Sequence, residues 1–95
     1  MAVKILIRRK FKDASQKDIM AMLIKARSIA MEMKGYISTE TLINLDDPQS
    51  VLLLSMWCSK EDWNNYFNSE ARKENERKFA EIVADTQYEI FRMGY

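Results

Sequence analysis

The chain predicts an α+β fold of the ferredoxin-like kind, β-α-β-β-α-β, with a four-stranded antiparallel sheet and its helices on one face. Three observations carry this. The apolar period switches between two and about 3.6 residues in that order along the chain. The third strand, Val51 to Cys58, is apolar on both faces, as expected of a central strand covered on both sides. That strand ends in Trp57 and turns at once into an aromatic-rich helical segment, Ser59 to Ser69. With 1 proline, 2 glycines and no repeat or linker, residues 1–95 read as one domain.

Val3 to Arg9 is aliphatic and β-branched and forms the first strand, followed by Asp13 or Ser15 as a helix cap. From Gln16 to about Met33, Ile19, Met22, Leu23, Ala26, Ala30 and Met33 share one helical face, and Gly35 stops the helix. Tyr36 to Leu45 alternates as the second strand. Strict alternation puts Ile37, Thr39, Thr41, Ile43 and Leu45 on one side, and Tyr36, Ser38, Glu40, Leu42 and Asn44 on the other. Asp46-Asp47-Pro48-Gln49 is a hairpin turn. After the third strand, Ser59 with Glu61 and Asp62 starts a short helix, Lys60 to Asn68, and a longer one runs from Ser69 to about Val83. Thr86 to Met93 is the fourth strand.

Lysine and arginine total 15 against 14 acidic residues, so the net charge of +1 provides no field to hold a nucleic acid or an anionic membrane. The cluster Arg8-Arg9-Lys10-Phe11-Lys12 reads as a solvated rim at a strand end. Histidine is absent and Cys58 is the only cysteine, which excludes an intramolecular disulfide, a Cys-His pair and every histidine-bearing metal or haem site. Asp46-Asp47 lacks the spaced oxygen ligands of a calcium loop, and no metal is expected. No segment approaches the roughly 20 apolar residues that cross a bilayer, so the expected location is cytoplasmic. A chain of this length buries only about 65% of its unfolded surface. With the helices on one face, the doubly apolar third strand predicts a twofold homodimer closed across the other face.

On the last helix Arg72, Asn75, Glu76, Phe79, Ile82 and Val83 form one inward stripe, polar in its first half and apolar in its second. The polar half falls near Trp57, Trp63 and Tyr66, the mixture of aromatic wall and polar groups that suits a flat organic ligand. The alternative is a half-exposed Arg72–Glu76 charge pair where helix and sheet diverge. Met20, Met22, Met31 and Met33 are expected to fill the core, and Cys58 to be a buried, inert thiol.

Gly35-Tyr36-Ile37 at the start of the second strand, the strand ending in Trp57, and the run Trp57-x-Ser59-x-Glu61-x-Trp63-x-x-Tyr66-x-x-Ser69 together resemble the antibiotic biosynthesis monooxygenase domain of the dimeric α/β-barrel superfamily. That family includes cofactor-independent oxygenases of aromatic polyketides, quinol oxygenases and haem-degrading enzymes. The resemblance implies a homodimer and a small aromatic substrate. The haem-degrading branch uses a histidine where this chain has Glu76, and an asparagine near Ile7, so haem degradation is not expected. For a cofactor-free oxygenase the resemblance implies that Trp57, Trp63, Tyr36 and Phe79 hold the ring. Arg72 and Asn75 would then stabilise an oxyanion, and Tyr66 or Glu76 would relay a proton. Two other readings stand beside it: a non-catalytic dimer that binds a small ligand or simply pairs subunits, and an isomerase or lyase with Glu76 or Tyr66 as general base. RNA-recognition modules share the element order, but Leu52-Leu53-Leu54-Ser55-Met56 lacks their stacking aromatics.

Overall fold

Each α-helix begins at a serine. The Oγ atoms of Ser15, Ser59 and Ser69 accept from the backbone N–H of Asp18, Asp62 and Arg72 at 3.1, 3.1 and 3.3 Å, which satisfies donors that the first turn leaves free. The computed structural model describes residues 1–94 and has the order β1 (Val3–Phe11), α1 (Gln16–Met31), β2 (Tyr36–Ile43), β3 (Ser50–Trp57), α2 (Lys60–Phe67), α3 (Glu70–Lys78), a 3-10 turn (Ala80–Ile82) and β4 (Val83–Arg92). The strands form one antiparallel sheet in the order β2-β3-β1-β4, which is the expected ferredoxin-like topology.

The last helix is shorter than its stripe suggested. It stops at Lys78, and β4 begins at Val83, three residues before Thr86. Val83 is β-branched and favours extended backbone, and it pairs with Phe11 across an irregularity at Lys10/Phe11.

A second difference changes which residues face the helices. In β2 the register shifts between Tyr36 and Ser38, so that Tyr36 lies opposite Trp57 while Thr39 lies opposite Ser55. The extra residue, Ile37, reverses the phase. Tyr36 and Thr39, on opposite sides by strict alternation, share the helix-facing side, and the Tyr36 hydroxyl donates to Thr39 Oγ1 at 3.0 Å. Gly35 before the bulge has φ +86°, and a Cβ there would collide with the Asp62 side chain.

The core lies between the sheet and its helices. It joins Val3, Ile5, Ile7 and Phe11 of β1, Val51, Leu53 and Trp57 of β3, Ile19, Met22, Leu23 and Ala30 of α1, and Trp63 and Tyr66 of α2. Of the methionines expected inside, Met22 is fully buried, whereas Met20 and Met31 are exposed because the stripe on α1 is narrower than the run of methionines. Cys58 is exposed, one residue past the end of β3, and so is not the buried thiol expected. On the sheet's other face Leu6, Leu52, Leu54 and Met56 are half-buried, and Leu42 and Phe91 are exposed. No helix among the described residues is long and apolar enough to cross a membrane.

Candidate functional site

Trp57 ends β3 under α2 and is wholly buried. Its ring stacks on Tyr66 with centroids 5.1 Å apart and meets Tyr36 and Trp63 edge-on at 5.5 and 6.1 Å. Its Nε1 donates to Ser55 Oγ at 2.8 Å, so the indole is satisfied within the protein. Trp63 in turn contacts Tyr66, Phe67 and Tyr88. The aromatic corner is therefore close-packed core. Phe79 caps α3, half-buried, with the Lys78 ammonium 5.4 Å from its ring centre.

Beside this corner lies a charged network centred on a residue that the sequence placed on the rim. Arg9 is in phase with Val3, Ile5 and Ile7, and it is buried. Its Nη2 donates to Glu76 Oε1 at 2.6 Å, and its Nη1 to Glu76 Oε2 and Thr86 Oγ1, both at 3.3 Å. This two-pronged pairing holds the guanidinium in one plane, and it raises the Arg9 pKa despite the opposing pull of burial. Arg72, one turn before Glu76 on α3, donates from Nη2 to Glu76 Oε1 at 3.3 Å and to the Tyr88 hydroxyl at 2.7 Å, and from Nη1 to the Phe67 carbonyl at 3.1 Å. It also stacks over Phe67 at 4.0 Å. The expected Arg72–Glu76 pair exists, but as the outer half of an Arg9–Glu76–Arg72–Tyr88 chain.

Asn75 is buried and ties α3 to α1, its Nδ2 donating to the Met22 carbonyl at 3.2 Å. Its Oδ1 is buried without a partner among the described residues. One N–H of the amide is thus already engaged.

The cavity opens between α1 and the sheet. It is lined by Ile7, Arg9, Leu53, Ser55 and Thr39 from the strands, by Met22, Leu23, Ala26, Arg27 and Ala30 from α1, and by Tyr66 from α2. Its volume is about 30 Å³, room for a water molecule or two and not for a ring. Of the eight side chains expected to form a site, only Tyr66 lines it. Arg72 and Glu76 reach it through Arg9, while Trp57 forms the base on which Tyr66 stacks. Burial pushes the Tyr66 hydroxyl up to about 12, against the opposing effect of Arg72 and Arg9. It stays protonated near neutral pH, with an O–H available to donate.

Sequence reasoning missed Arg9, Arg27, Thr39 and Ser55. A signal existed for Arg9, a charged residue at a core-phase position of a strand. None existed for Thr39, whose side depends on the bulge.

The family model described as antibiotic biosynthesis monooxygenase matches residues 2–78. The chain belongs to that family. Solved structures repeat the fold at low identity. SnoaB, a cofactor-independent oxygenase from Streptomyces nogalater, superposes with a TM-score of 0.89 at 8% identity, covering 99% of this chain and 94% of that one. A conserved protein from Methanosarcina mazei superposes with a TM-score of 0.87 at 17% identity, covering 99% and 94%. At these identities the likeness is one of fold. A relative from Natronomonas pharaonis named "Putative heme-binding protein" is 25% identical over 76 residues, which are 80% of this chain but 13% of that protein. This family member thus spans a small part of that relative.

Haem does not fit the residues present. There is no histidine, both Glu76 oxygens accept from guanidinium groups, and the Tyr66 hydroxyl, the one phenol in the cavity lining, stays protonated. No group of three or more Cys, Asp or Glu side chains suited to a metal occurs among the described residues.

Proposed function

We propose that this family member is a small monooxygenase that works without a cofactor on a phenolic, quinol or enolisable substrate in the cleft between α1 and the sheet. The observation that carries the reading is the pairing of a buried guanidinium, Arg9, with a protonated tyrosine hydroxyl, Tyr66, in a lining otherwise largely apolar. Such a site favours a substrate oxyanion where little water competes. The anion supplies the electrons: one passes to dioxygen, the pair recombines as a C–O–O bond, and loss of water leaves a carbonyl, so that SH2 and O2 give S=O and H2O. Arg9 and Tyr66 stabilise the oxyanion in place of Arg72 and Asn75. Glu76 and Arg72 position Arg9, and Asn75 pins α1 over the cleft. A ring enters only if the lining gives way, and Met22 and Arg27, both unbranched, are the side chains suited to move.

Oxygen uptake with hydroquinones, phenolic acids and diketones tests this. Tyr66→Phe is expected to lower turnover roughly a hundredfold, as loss of one oxyanion donor does elsewhere. Full turnover in that variant removes the assignment. A second reading, ligand binding without chemistry, is favoured by the narrowness of the cavity, and absence of uptake with every substrate class would establish it. A general base at Glu76 is disfavoured because its oxygens are occupied. We further propose that two copies pair through the uncovered sheet face, whose centre is leucine and methionine.

A further inference from the structure

Among the described residues, two arginines and no carboxylate line the cleft. They differ in how their charge is met. Arg9 is balanced by Glu76 behind it. Arg27 is exposed, so it stands at the mouth, and it takes part in none of the ion pairs among the described residues. The hydroxyls of Ser55 and Thr39 in the lining accept hydrogen bonds from Trp57 and Tyr36 and carry no charge, so they do not tell a carboxylate from a neutral amide. Among the described residues that line the cavity, Arg27 is thus the one cation without an ion pair, a forked group at the entrance.

We infer that the ligand of this cleft carries a carboxylate separate from its reacting oxygen, and that Arg27 is the residue that selects it. This rests on the cleft being the reactive site and names the substrate class: hydroxylated aromatic or enolic acids, not the neutral quinols. A guanidinium meets a carboxylate through two parallel N–H···O bonds, and a neutral amide of the same shape forfeits the charge. Arg9 cannot serve both ends, because Glu76 and Thr86 already take three of its five N–H groups. The inner end of the ligand would meet Arg9 and Tyr66, and the outer end Arg27.

The test is calorimetric binding of a dihydroxybenzoate and of the matching dihydroxybenzamide under nitrogen, where no turnover occurs. The acid is expected to bind roughly tenfold or more tightly than the amide at low salt. Arg27→Gln should abolish that ratio, and Arg27→Lys should keep part of it. Lys25→Gln, a charge change on α1 outside the cleft lining, should keep all of it. Unchanged melting temperatures would show that the fold is intact. Equal affinity for acid and amide, a preference that survives Arg27→Gln, or no binding of either compound overturns the inference. Oxygen uptake with neutral hydroquinones would leave the oxygenase reading standing in those cases, whereas acid-selective binding without any uptake would retain Arg27's role and remove the chemistry.

Discussion

On β1 the residues facing the helices, Val3, Ile5, Ile7, Arg9 and Phe11, are all buried, whereas Lys4, Leu6, Arg8 and Lys10 on the opposite face are half-buried or exposed. Both faces carry arginine, and the two arginines have different fates. Arg9 is desolvated and held by Glu76 at 2.6 Å, with side-chain exposures of 7% and 25%. Arg8 stays in water and approaches Glu89 at 3.8 Å, with more than half of each side chain exposed. The covered face completes itself, since α3 brings the counter-charge for its one buried cation. The open face has leucine and methionine at its centre with Lys4 and Arg8 on either side of Leu6, and no element among the described residues closes over it. Burial makes an ion pair a structural commitment, while exposure leaves it weak and screened.

The largest effect should come from the open face. Leu54→Asp places a charge at the centre of the proposed subunit contact, where an unpaired buried charge costs several kcal/mol. Light scattering should show the mass of two chains for the parent and of one for the variant. A parent that is monomeric at micromolar concentration would remove the contact.

Next is the charged network. Glu76→Ala leaves Arg9 buried without its partner and should destabilise the fold by roughly 3 kcal/mol in denaturant unfolding. The double variant Arg9→Met, Glu76→Leu should recover most of that loss, because it removes the buried charge altogether. If the single variant costs no more than a surface pair, the contrast between the two faces is wrong.

The smallest effect is confined to alkaline pH. Tyr66 ionises at 10.0 in an unperturbed chain and at about 12 when folded, because burial favours the neutral phenol. The folded state therefore holds its proton more tightly. That stability is fully present below pH 10 and is lost as pH rises towards about 12, roughly 2–3 kcal/mol over the window. Tyr66→Phe should flatten that part of the pH dependence of unfolding. An unchanged profile would mean that the hydroxyl is better hydrated than its surroundings suggest.

Much of this was legible in the chain. Ser15, Ser59 and Ser69 start their helices because a short hydroxyl side chain can reach its own first turn, an interaction local in sequence. The spacing puts Trp57 and Tyr66 at one corner, and they stack there. The rings of Trp57, Trp63 and Tyr66 pack against one another, and periodicity shows that a residue points inward, not whether the space it points into is already full. The alternative of an Arg72–Glu76 charge pair holds in the structure, but the third member lies 67 positions away from Glu76 on β1.

The sequence by itself determined the order of strands and helices, the serine starts of the second and third helices, the polar half of the last helix's inward stripe and the doubly apolar third strand, since each follows from neighbours within a turn or from a period of two or 3.6. Only the tertiary structure decided that Ile37 is a bulge placing Tyr36 and Thr39 on one side, that Arg9 is desolvated against Glu76, and that the cavity lies between α1 and β3 with Arg27 at its mouth. Those features depend on register and on contacts between residues distant in the chain. A one-residue shift in register turns side chains to the other face, and an ion pair becomes buried only when a separate element closes over it.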